Sequence, residues 1–169
     1  GFSAGGYRYD APTSTWPVSI EKFLYASAGT LTDHGDITHE ARNGTGMSSS
    51  TDGYCGGGEG TGNAKSSSIE KFSFASANTV SNHGTISGTL GVYSAGCNST
   101  SNGYLCGGTG SPAQSRIQRM SFASNITTVT NSYLTVARYI GNTGVSSNTH
   151  GYVSAGYANP AAAIGGVID

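Results

Sequence analysis

Gly53-Tyr54-Cys55-Gly56-Gly57-Gly58 is one of four copies of the phrase Gly-(Phe/Tyr)-x-x-(Gly/Ala)-Gly in this chain of 169 residues. The other copies begin at Gly1, Gly103 and Gly151, so that successive starts lie 52, 50 and 48 residues apart. A period near fifty is typical of repeat architectures, in which one unit does not cover its own apolar face and neighbouring units stack on it. The phrase therefore predicts a chain built of similar units.

A second phrase, Ile-Glu-Lys-Phe-x-(Tyr/Phe)-Ala-Ser, recurs with the same period at residues 20–27 and 69–76, and more loosely at 117–124. Its large apolar residues alternate with a period of two, which indicates a strand; the pairs are Phe23 with Tyr25, Phe72 with Phe74, and Met120 with Phe122. Apolar residues on both faces predict strands packed between neighbouring sheets. The acidic or amide residue and the basic residue of each copy are expected to lay their stems over apolar surface while their polar ends reach water; these pairs are Glu21-Lys22, Glu70-Lys71 and Gln118-Arg119.

The rest of each unit has the residues of turns between short strands. Asp33-His34-Gly35 and Asn82-His83-Gly84 predict turns, because Asn and Asp bond their own backbone and Gly accepts positive φ. Ile37 and Ile86, matched by Leu134 in the third unit, are then expected to open another short strand. Polar segments precede three copies of the first phrase and predict hairpin tips; they are residues 48–52, 98–102 and 146–150.

About four short antiparallel strands in a unit of roughly fifty residues are typical of a β-propeller blade. We expect the glycine pairs at places where backbones approach closely. The predicted repeats span about residues 1–52, 53–102 and 103–150, with a partial fourth repeat at 151–169, so that the chain holds roughly three and a third repeats in one array. An open stack of β units along a fibre is the alternative architecture.

These units resemble kelch-type blades, which carry a Gly-Gly doublet at the end of one strand and aromatic residues on the strands that follow. More narrowly, they resemble the tandem Gly-Tyr-x-x-Gly-Gly repeats of tail-associated and structural proteins of bacteriophages, notably those that infect cyanobacteria. The matching segments are Gly53-Tyr54 with Gly57-Gly58, residues 69–76, and residues 134–139. The kelch tryptophan is missing, since Trp16 is the single tryptophan and lies outside the repeated phrases. The resemblance implies a propeller and a structural role outside the cell.

Propellers close with four to eight blades, and three and a third repeats are too few. The sequence therefore predicts an excerpt of a longer polypeptide, or a protomer whose ring is completed by copies of itself. A start without Met and without a signal peptide agrees with an excerpt.

Composition excludes two classes of function. Charged residues make up 10% of the chain and the net charge is −1, so no basic surface is available to neutralise phosphates and nucleic-acid binding is not expected. No apolar run approaches the roughly 18 residues that cross a bilayer, so no membrane span is predicted. Few charges with many Gly, Ser, Thr and Asn residues favour a rigid β protein that is extracellular or carried on a virion.

The side chains with reactive groups do not form a recognisable catalytic motif. Cys97 and Cys106 either form a disulfide across a hairpin or are, like Cys55, small buried residues. His34 and His83 repeat, and Asp33, Asp36, His39 and Glu40 lie near the first, but a metal needs several such groups at one point. We interpret these residues as lining turns and predict no catalytic residue, no metal and no cofactor.

The sequence thus predicts a non-enzymatic structural or adhesive module of a phage tail, fibre or virion surface protein, with host surface glycans as ligands. Binding residues concentrate on loops held by a rigid scaffold, so the hairpin tips are the expected recognition surface. The expected protein partners are other copies or further repeats of the same polypeptide. The alternatives are a subunit of a bacterial extracellular filament or cell-surface protein and, less favoured, a copper oxidase on a kelch-type propeller, whose Tyr–Cys pair and histidines occur here as residue types only.

Overall fold

The computed structural model describes residues 1–10, 13–26, 29–88, 91–109, 113–139, 143–158 and 163–164. Within these residues the chain forms strands and one turn of 3-10 helix, Thr61–Asn63, so the predicted all-β class is confirmed. In chain order the strands are β1 (Phe2–Ala4), β2 (Arg8–Asp10), β3 (Thr13–Thr15), β4 (Ser19–Lys22), β5 (Thr32–Asp36), β6 (Thr45–Ser48), β7 (Asp52–Gly56), β8 (Ser68–Ser73), β9 (Ser81–Thr85), β10 (Ala95–Asn98), β11 (Asn102–Cys106), β12 (Arg116–Ser121), β13 (Ile126–Thr127), β14 (Val129–Tyr133), β15 (Thr143–Ser146), β16 (Gly151–Ser154), β17 (Tyr157–Ala158) and β18 (Ala163–Ile164). This described part contains no helix that is long and apolar enough to cross a membrane.

Four sheets carry the repeated phrases, and corresponding strands take corresponding places in them. The first sheet has the order β1-β4-β5, the second β6-β7-β8-β9, the third β10-β11-β12-β14, and the fourth β15-β16. Neighbours in these sheets are antiparallel, and β13 is added in parallel to the edge of the second sheet at β9. The second and third sheets thus each have the four antiparallel strands predicted for a unit. Strand β6 lies within the first predicted repeat but pairs with β7 of the second.

The hydrophobic core lies between successive sheets. In the second and third units, the strand that carries the second phrase packs on the preceding sheet, which is why its apolar residues repeat in register. Three clusters of buried residues result: Ile20, Ile37, Ala41 and Phe72; Met47, Tyr54, Ile69, Ile86, Leu105 and Met120; and Ala95, Cys97, Cys106, Leu134 and Val153. Each unit therefore depends on its neighbour to bury its apolar face.

The Asp-His-Gly and Asn-His-Gly segments lie inside strands, so the predicted turns are wrong. Strand β5 contains His34 and strand β9 contains His83, each as an extra residue at a register shift against the neighbouring strand. Such a β-bulge turns the side chain of the extra residue in a new direction. Ile37 accordingly follows the last strand of its sheet, β5, instead of opening one. Its amide bonds the carbonyl of Val18, and the amides of Ile86 and Leu134 make the equivalent bonds.

Two expectations about the second phrase are also corrected. Glu70 and Gln118 do not reach water but are 2% and 1% exposed, because groups of the preceding unit bond them. In the first unit the aromatic pair is not packed between sheets: Phe23 is 38% exposed and Tyr25 is 88% exposed. The equivalent Phe72 is 5% exposed because the first sheet covers it.

The glycine pair of the first phrase has backbone conformations that favour glycine. Gly57 has a φ of +66° and Gly58 a φ of +107°, and the other copies repeat this combination. The amide of Gly57 bonds the carbonyl of Ser68 in its own sheet, whereas the amide of Gly58 bonds the carbonyl of Gly91, in the segment that leads to the third sheet. The pair therefore links a sheet to the start of the next unit.

A second set of glycines brings the first strands of successive units together. A Cβ on Gly96 in β10 would lie 2.1 Å from the carbonyl oxygen of Gly46 in β6, and a Cβ on Gly144 in β15 would lie 2.1 Å from that of Gly96. Any side chain there would force neighbouring strands apart. Backbones therefore approach closely at the glycine pairs, as predicted, and also at these glycines, which lie outside the two repeated phrases.

Candidate functional site

The three predicted hairpin tips form the same turn at the same end of successive sheets. They connect β6 to β7, β10 to β11, and β15 to β16. In each turn a serine amide bonds the carbonyl three residues later, at 2.8 to 2.9 Å, and its hydroxyl oxygen accepts a bond from that residue's amide; the serines are Ser49, Ser99 and Ser147. The local hydroxyl replaces a backbone partner, which is why Ser begins every tip.

A cavity of about 740 Å³ opens beside these tips. The residues that end the first strands of three units, Ser48, Asn98 and Ser146, line it at equivalent positions. The Ser146 hydroxyl accepts a hydrogen bond of 2.8 Å from the amide of Asn98, which ties two neighbouring tips together. The cavity therefore belongs to several units at once and exists because those units are held side by side.

The lining of this cavity is uncharged and mixes aromatic with amide and hydroxyl groups. The aromatic contributors include Phe2, Tyr25 and Phe74, and Asn43 and Asn98 supply amides. Among the described residues that line it, none has a charged side chain. Amides and hydroxyls both donate and accept hydrogen bonds, so the cavity can hold a neutral ligand rich in hydroxyl groups, whereas an anion such as a phosphate meets no charged side chain among the described residues there.

Glu70 and His39 form an ion pair between the first and second units, in which the Glu70 side chain is buried and the His39 side chain is 21% exposed. His39 Nδ1 lies 3.4 Å from Glu70 Oε1, and its Nε2 lies 3.1 Å from the carbonyl oxygen of Gly57. Glu70 also accepts bonds from the amide and the hydroxyl of Thr38. The Glu70 carboxylate raises the pKa of His39. Burial alone would raise the pKa of Glu70, but the bonds from His39 and Thr38 outweigh it and lower that pKa.

The equivalent residue of the third unit makes an uncharged version of this contact. Gln118 donates a bond of 2.8 Å to the carbonyl of Ser87 and accepts one from the hydroxyl of Thr128. Glu21 of the first unit is exposed. The pattern shows that this position serves the contact between units, so the structure gives the Glu70–His39 pair a structural role.

His34 and His83 also tie neighbouring units together. Nε2 of His34 lies 2.7 Å from the carbonyl oxygen of Ser73, and Nε2 of His83 lies 2.9 Å from that of Ser121. The bulges aim both rings at the next sheet. The repetition of these histidines is visible in the sequence but this role is not, because their partners lie nearly forty residues away.

The other residues considered as metal ligands in the sequence do not converge. Asp33 accepts a bond from the amide of Gly35, and Glu40 accepts one from the amide of Thr61, which lowers the pKa of Glu40. Asp36 is exposed. In the part of the chain that the structure describes, no three His, Cys, Asp or Glu side chains are grouped as metal ligands.

The three cysteines are thiols that form no disulfide in the structure. Cys97 lies opposite Tyr104, two residues along β11 from Cys106, and both cysteines are 3% exposed. The structure therefore shows them as small buried residues and not as a bridge. A hydrogen bond from the Cys106 thiol lowers the pKa of Cys97 to about 7 and raises that of Cys106, whereas burial raises the pKa of Cys55 to about 12.

Comparison with known proteins supports the fold alone. No family model and no curated protein matches the chain. The chain is similar to 103 chains of solved structures. One is a structure of YjhT, with a TM-score of 0.70 and 11% sequence identity; the match covers 90% of this chain and 48% of that one. The chain thus spans about half the length of YjhT.

Proposed function

We propose that the chain is a non-enzymatic structural and adhesive module of a phage tail, fibre or virion surface protein, and that it binds host surface glycans. The observation that carries this proposal is the uncharged cavity beside three equivalent hairpin tips. Sugars present hydroxyl groups, which the amides of Asn43 and Asn98 match, and apolar ring faces, which the aromatic ring of Tyr25 matches. Repetition of the tips also suits a polymeric ligand, because neighbouring units offer similar groups side by side.

We further propose that the sheets are blades of a β-propeller. Successive sheets pack face to face through equivalent residues, and their first strands approach one another through Gly46, Gly96 and Gly144. Both features are expected where blades surround a common axis. An electron-microscopy structure in which β6, β10 and β15 did not surround one axis would contradict the propeller and favour the open stack.

Glycan binding is tested with a pair of exposed tyrosines. Tyr25 is 88% exposed and lines the cavity, whereas Tyr9 is 74% exposed and lies outside its lining. Fluorescently labelled chain is screened on an array of host polysaccharides, and the strongest ligand is titrated by calorimetry. We expect Tyr25→Ala to weaken binding by about tenfold, the effect of losing roughly 1.4 kcal/mol, and Tyr9→Ala to leave it unchanged.

Two results would reject the glycan proposal. One is the absence of binding to every polysaccharide on the array. The other is an equal loss of affinity in Tyr25→Ala and Tyr9→Ala, which would show that exposed aromatic surface in general, and not the cavity, holds the ligand.

A filament subunit is the second candidate, and the first sheet carries an observation in its favour. Besides Tyr25, this sheet leaves Phe23 38% exposed and Leu24 71% exposed. The rings of Phe23 and Tyr25 lie 5.4 Å apart and together form exposed apolar surface, which is typical of an interaction site. Sedimentation velocity over a range of concentrations tests for assembly. Growth into long particles that Leu24→Asp abolishes would support the filament, and a single species at all concentrations would reject it.

A further inference from the structure

A second cavity, of about 330 Å³, lies between the third and fourth sheets. Its apolar wall includes Tyr104, Ile117 and Leu134 of the third unit and Val153 of the fourth, and Gly151 lies at its edge. This cavity is separate from the tip-side cavity of about 740 Å³ in all but one lining residue, Asn98. We call it the groove.

The equivalent space between the second and third sheets is filled by two side chains of one strand phrase. Met120 of β12 and Phe122 just after it pack there, and the ring of Phe122 stacks on that of Tyr54 with centroids 4.7 Å apart. Apart from these two, each member of that core cluster has a counterpart among the groove residues. The pairs are Met47 with Cys97, Tyr54 with Tyr104, Ile69 with Ile117, Ile86 with Leu134, and Leu105 with Val153.

Exposure shows that the groove is open where its counterparts are covered. Ile20 and Ile69 are 0% exposed, whereas the equivalent Ile117 is only half-buried. His83 is 8% exposed, but Asn131, the extra residue of the corresponding bulge in β14, is exposed. The side chains that fill the equivalent space between the second and third sheets therefore indicate which side chains would fill the groove.

The edge of β16 offers the backbone positions for such a strand. Among the described residues β16 pairs with β15 alone, whereas the equivalent strands β7 and β11 pair on their other edge with β8 and β12. In those pairs Gly53 lies opposite Phe72 and Gly103 lies opposite Met120. The glycine is needed because the facing side chain lies over it: a Cβ on Gly53 would be 2.3 Å from the ring of Phe72. Gly151 supplies this glycine in β16.

We propose that the groove binds an extended polypeptide strand that carries two large apolar residues two positions apart. The strand pairs antiparallel with β16, by addition to the edge that no described strand covers. Its first apolar residue lies opposite Gly151, and the second, an aromatic residue, stacks on Tyr104. Asn131 lies where His83 bonds a strand carbonyl, and its amide donates to the carbonyl between the two apolar residues. This inference is independent of glycan binding at the tip-side cavity.

A peptide with the sequence of residues 68–75 tests the proposal, because that segment fills the equivalent space in the second unit. The fluorescently labelled peptide is titrated into the chain and followed by polarisation. We expect saturable binding, and at least a tenfold loss of affinity when the peptide positions of Phe72 and Phe74 are both alanine. Hydrogen exchange is expected to slow at the amides of β16 when the peptide is added.

Variants of the chain locate the binding. Tyr104→Ala removes the stacking surface and is expected to weaken binding by about tenfold. Tyr133→Ala, at a 65% exposed tyrosine outside the groove, is expected to have no effect. The proposal is overturned if no saturable binding occurs up to about 1 mM peptide, if the double-alanine peptide binds equally well, or if Tyr133→Ala weakens binding as much as Tyr104→Ala.

Discussion

Replacing Gly57 by alanine tests how closely neighbouring units approach each other. An added Cβ would lie 1.9 Å from the carbonyl oxygen of Gly91, whereas ordinary contacts begin at 3.4 Å. Gly62 is the matched control: its φ of +70° is close to the +66° of Gly57, but no atom lies within 4 Å of its added Cβ. Ala155, the equivalent of Gly57 in the fourth copy, has a φ of 57°, so the left-handed conformation alone is tolerated there.

The two substitutions share one cost and differ in another. Left-handed backbone costs a residue with a side chain about 1 kcal/mol in both variants. In Gly57→Ala the backbones must also separate, which weakens the bond from the amide of Gly58 to the carbonyl of Gly91; this loss is about 1 kcal/mol, and the displaced packing costs about 1 kcal/mol or more. We expect the free energy of unfolding to fall by about 3 kcal/mol or more in Gly57→Ala and by about 1 kcal/mol in Gly62→Ala.

Equilibrium unfolding in urea, followed by circular dichroism and tyrosine fluorescence, measures both values. The comparison is valid if the free energy of unfolding of both variants falls with urea concentration at the same slope. A difference of less than about 0.5 kcal/mol between the variants, which is within the range of neutral surface substitutions, would refute the close approach of the two backbones.

The remaining predictions concern the polar contacts between units. Because the pKa of Glu70 is lowered, Glu70 stabilises the folded chain above pH 4.5 and loses this contribution as the pH falls through its folded pKa. Because the pKa of His39 is raised, His39 stabilises the folded chain below pH 6.5 and loses this contribution as the pH rises through its folded pKa. We therefore expect this pair to stabilise the chain most between these pH values. Glu70→Gln should flatten the dependence of the free energy of unfolding on pH, measured by urea unfolding at each pH. An unchanged pH dependence in this variant would show that the pair does not stabilise the chain. His83→Ala should lower the free energy of unfolding by about 1 to 3 kcal/mol, because a part-buried carbonyl loses its partner, whereas Asn131→Ala, at the exposed equivalent, should have an effect below about 0.5 kcal/mol; equal effects would show that His83 does not tie the units.

The repeated phrases predicted strands and glycine-favouring backbone at the right residues, because each phrase records a local requirement. The aromatic alternation around Phe72 needs a strand, and Gly57-Gly58 needs positive φ; both are visible in a few consecutive residues. The hairpin tips were predictable for the same reason, since Ser49 and its equivalents bond within their own turn.

Contacts between units could not be predicted in this way. A Gly after a His and an Asn or Asp is found in turns and in β-bulges alike, and pairing with β8 decides in favour of the bulge at His83. Glu70 and Gln118 are residue types that usually lie exposed on strands, but each has a hydrogen-bond partner in the preceding unit. The half-covered state of Ile117 likewise depends on what lies beside the sheet and has no signature in the sequence.

The equivalence of the contacts made by His34 and His83 has a consequence for how such a chain changes length. The junction between the first and second sheets and the junction between the second and third use the same donor position on one sheet and the same acceptor position on the next. If recombination between tandem copies inserts or deletes a whole unit, each surviving junction still joins matching surfaces. Natural variants with more or fewer copies can therefore arise in a single genetic step, without passing through a form that has mismatched neighbours.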